Sequence, residues 1–115
     1  MSRRDDRALL EDILTVAKAA AGAASSHRKS DLAKDPIWAW GLVKSLEIIG
    51  EAARQLSTNI RKRSSNIPWA EIIGMRNRLV HAYFDIDREQ VWKTLTDDLP
   101  PLIERIETLL KDFVS

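Results

Sequence analysis

The sequence predicts an all-α protein, an up-down bundle of four to five helices, and three observations carry the prediction. Gly and Pro are scarce, four each in 115 residues, too few for the many tight turns of a sandwich or a barrel. Apolar residues recur at helical rather than alternating spacing through most of the chain. The intervals between these stripes are short and polar, or open with a proline that suits a first helical turn.

Each element follows from its own spacing. Leu9, Leu10, Ile13, Val16, Ala17 and Ala20 mark a first helix whose Ala-rich tail, to Ala24, suits close packing. "SSHRKSD" reads as a polar break. Asp35 as a cap and Pro36 at the first helical position open a second helix, with Trp38, Leu42, Leu46, Ile49, Ala53 and Leu56 on one stripe. "STNIRKRSSN" reads as a basic loop. Pro68 opens a third helix through Trp69, Ile72, Ile73, Met75, Leu79 and Val80, expected to end near Tyr83 or Phe84. Asp87 with Gln90 three residues later is a capping signal for a short helix through Val91, Trp92 and Leu95. Pro100 and Pro101 are expected to interrupt it and start the last helix, where Leu102, Ile103, Ile106, Leu109, Leu110 and Phe113 form the stripe.

No repeat or composition shift divides the chain, so residues 1–115 read as a single helical domain. The absence of Cys removes disulfides, thiolate metal sites and a Cys nucleophile. A charged N-terminus and the lack of any long apolar run lead to the expectation of a cytoplasmic protein with no membrane contact. No cofactor and no metal site is expected, since His27 sits in a polar segment without ligand partners nearby. Four Trp and a stripe on every helix are more apolar surface than a minimal monomer requires. A homodimer is one way to cover it; a fully packed monomer is the other.

The net charge of +1 conceals a basic island. Residues 52–83 carry six basic side chains (Arg54, Arg61, Lys62, Arg63, Arg76, Arg78) against Glu71 alone, whereas residues 84–115 carry four basic and eight acidic. Such an island fits a phosphate-bearing partner, and it fits a solvated surface equally well. Within it, "MRNRLVHAYFDID" (75–87) gathers Arg76, Asn77, Arg78, His81 and the chain's one Tyr, Tyr83. On a continuous helix Asn77 and His81, four apart, share a face. His is suited to acid–base work near neutrality, and Arg to holding phosphate oxygens and stabilising charge that builds in a transition state. RNA brings its own nucleophile, the 2′-OH. A base, an acid and a cation therefore suffice, with Asn77 orienting a partner and the Arg61, Lys62, Arg63 and Arg78 cations holding the RNA backbone. A His at an apolar helix end is also the profile of a structural residue, and Arg–His spacing alone does not separate the two.

The longer pattern does. Arg76, four residues, His81, Ala82 and Tyr83, preceded by "IPWAEIIG" and followed by "VWKTLTDDLP", resembles the signature of the HepT-like branch of the HEPN superfamily. "SLEIIGEAARQLS" (45–57) is similar to the second helix of that family. The resemblance implies a homodimeric helical bundle in which two Arg–His motifs meet at the dimer axis as a composite, metal-independent endoribonuclease site. It also implies a toxin whose partner, a minimal nucleotidyltransferase antitoxin, neutralises it by transferring AMP to the motif Tyr. On that implication Arg76 and His81 are catalytic, Asn77 and Tyr83 support the site, and Tyr83 is the AMP acceptor. Glu47 and Glu51, four apart on the second helix, are within reach of such a cleft and are candidates to pair with Arg76. The competing reading is a non-enzymatic nucleotide-binding adaptor that docks on the nucleotidyltransferase.

Overall fold

Capping side chains set where the helices of this chain begin. In the computed structural model, which describes residues 5–82 and 85–113, α1 (Asp6–Ser25) starts where the Asp5 carboxylate accepts the Ala8 N–H at 2.8 Å. After the one-turn α2 (Asp31–Lys34), α3 (Pro36–Gln55) opens with Asp35 accepting from the Trp38 N–H and Pro36 in the first turn, as its sequence predicts. The short α4 (Thr58–Arg63) is capped by Ser57, and α5 (Trp69–Ile73) and α6 (Arg76–Leu79) follow. Asp87 caps α7 (Arg88–Lys93) by accepting the Gln90 N–H at 3.0 Å. A π-helical turn (Thr94–Asp98) then leads directly into α8 (Leu99–Lys111).

The fold is an all-α bundle. α1 and α3 run antiparallel: Asp6, at the start of α1, accepts both the backbone N–H and the hydroxyl of Ser57 just beyond α3, at 2.9 and 2.6 Å. At the other end His27 stacks on Trp38 with ring centroids 4.3 Å apart. α8 lies along α1, with Lys18 and Glu107 2.8 Å apart. One apolar cluster runs through all of these, with Leu10, Ile13, Leu46, Ile49, Leu56, Leu79, Leu95 and Ile106 fully buried. Gly50 lets α5 approach α3 closely, since a Cβ there would sit 3.0 Å from the Ile72 carbonyl oxygen. Trp69 is buried and donates through Nε1 to Ser64 Oγ at 2.9 Å, while Ser64 donates to the Ile60 carbonyl at 2.6 Å.

Three expectations are corrected. The segment 57–66 is not simply a loop: Ser57 caps it and Ile60 buries into the core, so one and a half turns of helix form. The proline pair starts α8, as expected, but makes no break between it and α7. The Leu99 N–H reaches back to the Thr94 carbonyl, and this wider π turn makes room for the Pro100 and Pro101 rings without ending the helix. The third helix is not continuous to Tyr83. It breaks at Gly74, resumes for one turn, and becomes extended at Val80 (φ −133°, ψ 121°). There Val80 pairs antiparallel with Ile86, and both β-branched side chains pack against the core. Tyr83 and Phe84 lie outside the described residues.

Candidate active site

The short extended pair at Val80 and Ile86 decides where His81 goes. The Asp87 N–H donates to the Leu79 carbonyl at 2.8 Å and the His81 N–H to the Asp85 carbonyl at 2.9 Å, which ties residues 79–81 to residues 85–87. Val80 and Ile86 face the core, so the alternation of an extended chain turns His81 and Asp87 to the opposite, outer face as diagonal neighbours. There His81 Nε2 lies 3.2 Å from Asp87 Oδ2, and His81 remains more than half exposed. Asn77 and His81 therefore do not share a helix face, because α6 ends before His81; Asn77 is exposed on α6 itself.

Arg76 stands at the start of α6 and is held from α3. Its Nε donates to Glu47 Oε2 at 2.9 Å, so Glu47, one of the two acidic residues considered for this role, is the one that pairs with it. Glu51 is engaged by Arg54 instead, and that hydrogen bond holds the Glu51 carboxyl below the usual carboxylate range and raises the Arg54 guanidinium. The Nε contact uses one edge of the Arg76 fork and leaves its terminal amino groups for another anion. Arg76, Glu47, Lys44 and Ile48 border a surface groove of about 440 Å³ between α3 and α5.

α3 links these two positions. Trp40 borders a second groove, of about 400 Å³, whose other wall is formed by Asp85, Ile86 and Arg88 beside the His81 turn. Trp40 and Glu47 are seven residues apart on α3, hence on one face and about 10 Å apart along the axis. Among the described residues the large apolar side chains most exposed to solvent, Ile37 at 83% and Ile48 at 41%, also lie on α3, on a line about a quarter turn round the helix from Trp40 and Glu47. The remaining cations lie elsewhere. Arg61, Lys62 and Arg63 sit on α4 beyond the far end of α3, with Arg63 3.9 Å from Asp112. That places them on the order of 20 Å along α3 from the Trp40 region. Arg78 donates to the Glu71 carbonyl at 3.3 Å and lines a separate pocket with Asp97 and Arg105.

Sequence reasoning missed Asp87 as a partner of His81, reading it only as a helix cap. The signal was available in the spacing: Val80 and Ile86, both β-branched and flanking a five-residue interval, suit an extended pair as well as a helix end.

The ribonuclease HepT-like family model matches residues 10–109 of the chain. The chain belongs to the HepT-like ribonuclease family. A relative in Methanocaldococcus jannaschii named "Putative RNase" is 35% identical over 107 residues, covering 93% of this chain and 98% of its own. One of the same name in Caldanaerobacter subterraneus is 40% identical over 81 residues, 70% of this chain and 72% of its own. A "Probable ribonuclease HepT" of Thermococcus cleftensis is 39% identical over 72 residues, 63% of this chain and 66% of its own. No solved structure matches significantly. Among the described residues of this HepT-like chain, no helix is long and apolar enough to cross a membrane. No group of three or more potential metal ligands gathers among them either.

Proposed function

We propose that this HepT-like ribonuclease is an endoribonuclease toxin that cleaves RNA without a metal ion, by general acid–base catalysis at a site shared between two protomers. The observation that carries the proposal is that Arg76 and His81 are both exposed and each held by a carboxylate, Arg76 by Glu47 of α3 and His81 by Asp87 in the turn whose Asp85 and Ile86 share a groove with Trp40 of α3. His81 relays the proton to or from the 2′-OH or the leaving 5′ oxygen, and Arg76 binds the scissile phosphate and offsets its developing charge. The products are then a 2′,3′-cyclic phosphate or 3′-phosphate end and a 5′-hydroxyl. Arg76 and His81 point to different partners within one chain, so a symmetric copy laid across α3 supplies the second set of groups and covers Ile37 and Ile48.

Asn77, exposed beside Arg76, supports the site, while Arg61, Lys62, Arg63 and Arg78 hold flanking stretches of RNA rather than the scissile phosphate. Neutralisation comes from a minimal nucleotidyltransferase antitoxin that transfers AMP to Tyr83. An anionic group two residues from His81 repels substrate phosphate and fills the space it needs. The ribonuclease names of its relatives favour this reading over a non-enzymatic nucleotide-binding adaptor.

The test is an RNase assay on metal-free protein of verified intact mass, free of an AMP adduct. Wild type is expected to cleave with EDTA present, and His81→Ala and Arg76→Ala each to lose on the order of 10²- to 10⁴-fold while staying folded. Folded, unmodified wild type that cleaves none of a broad RNA panel, or His81→Ala that cleaves as fast as wild type, contradicts it.

A further inference from the structure

The His81 turn contains a group that the proposed chemistry has not yet used. We propose that Asp87 is the positioning residue of His81: it fixes the imidazole through Nε2 and so presents Nδ1 as the nitrogen that meets the substrate. The inference rests on the proposed nuclease reading for its kinetic consequence, and on geometry alone for the hold itself.

The Asp87 carboxylate is committed at both oxygens. Oδ1 accepts the Gln90 N–H at 3.0 Å as the cap of α7, and Oδ2 lies 3.2 Å from His81 Nε2. Its backbone N–H is anchored to the Leu79 carbonyl at 2.8 Å. The carboxylate is thus fixed by α7 on one side and by the Val80–Ile86 pairing on the other, and it is less exposed than the imidazole it touches. An ionised carboxylate only accepts hydrogen bonds, so the nitrogen facing it carries the proton. In neutral His81 that is Nε2–H, which leaves Nδ1 as the free acceptor on an exposed ring. An imidazole whose far nitrogen is held by a carboxylate keeps one tautomer and one direction, and both are required for a proton transfer that recurs at the same atom.

His27 supplies an internal reference of opposite sense. Its Nδ1 lies 2.8 Å from the Ala23 carbonyl oxygen, an acceptor, so its proton belongs on Nδ1.

Two substitutions separate the hold on His81 from the helix cap. Asp87→Ser keeps a good N-cap but does not reach the imidazole; Asp87→Asn keeps the cap and offers a neutral acceptor. Long-range ¹H–¹⁵N spectra, at a pH where both imidazoles are neutral, are expected to show His81 as Nε2–H and His27 as Nδ1–H in wild type. The fixed tautomer of His81 should be lost in Asp87→Ser. In RNA cleavage, kcat is expected to fall about a hundredfold in Asp87→Ser and about tenfold in Asp87→Asn, with KM and the melting temperature nearly unchanged. Asp85→Asn removes the same charge from the residue directly opposite His81 and should leave kcat near wild type.

An Nδ1–H tautomer for wild-type His81 overturns the proposal whether or not the protein cleaves RNA. So does Asp87→Ser with wild-type kcat, with a raised KM alone, or with a loss that Asp85→Asn reproduces. If the tautomers are as expected but wild type is inert toward RNA, the hold on His81 stands and the nuclease reading falls.

Discussion

Arg76 and Glu47 form an ion pair whose worth lies in direction rather than stability. The Arg76 side chain is 65% exposed and Glu47 23%, a setting in which such a pair contributes about 0–1 kcal/mol. Glu47→Ala is therefore expected to leave the melting temperature within a few degrees. The Arg76 fork loses its guide, and kcat/KM for RNA should fall several-fold, about 1 kcal/mol of transition-state stabilisation. Glu47→Gln keeps an acceptor for Nε and should retain most activity. A Glu47→Ala variant that cleaves faster than wild type would make Glu47 a restraint on Arg76 instead of its guide. The sequence made Glu47 and Glu51 equal candidates for this contact, because two carboxylates four apart on a helix face the same way. Arg54, three residues after Glu51, takes that carboxylate locally and leaves Glu47 to Arg76.

The elements whose signals are local were legible in the sequence. Asp35 with Pro36 and Asp87 with Gln90 cap where their spacing indicates, since a cap depends only on the first turn it serves. The breaks depend on tertiary contacts and were not. A helical stripe through Met75, Leu79 and Val80 is also compatible with a helix turn followed by an extended residue, and the pairing of Val80 with Ile86 settles which forms. The same holds for His81, the proposed catalytic residue: the sequence shows the motif it stands in, but its orientation belongs to that pairing. Close approach of α5 to α3 at Gly50 positions α6 and the turn after it. Gly50→Val places side-chain atoms against the backbone oxygen of Ile72, which has no freedom to move aside. The strain is expected to cost about 1–3 kcal/mol, well above the few tenths gained in helix propensity. Thermal unfolding should show a fall in melting temperature of several degrees. An unchanged or higher melting temperature would mean that α5 shifts away from α3 without penalty.

At the scale of the molecule, one chain displays the pieces of a site without assembling them. Arg76 faces Glu47 on α3, His81 faces Asp87 at the start of α7, and the adjoining side of α3 carries exposed Ile37 and Ile48. The cations of α4 lie beyond the far end of α3, where the proposed reading has them hold flanking RNA. In the proposed reading a second copy across α3 covers the apolar exposure and doubles the set of groups together, so the proposed dimer and the proposed site stand or fall as one. A charge placed on that face, as in Ile48→Asp, is expected to give monomers in sedimentation and to abolish cleavage while the helical circular dichroism is kept. The most direct test mixes two inactive variants, Arg76→Ala and His81→Ala, unfolds and refolds them together, and measures RNA cleavage. With random pairing about half the dimers are mixed, each with one intact Arg76 opposite one intact His81, so activity should return to about a quarter of the wild-type rate. A mixture as inert as its components would contradict a site shared across the dimer axis.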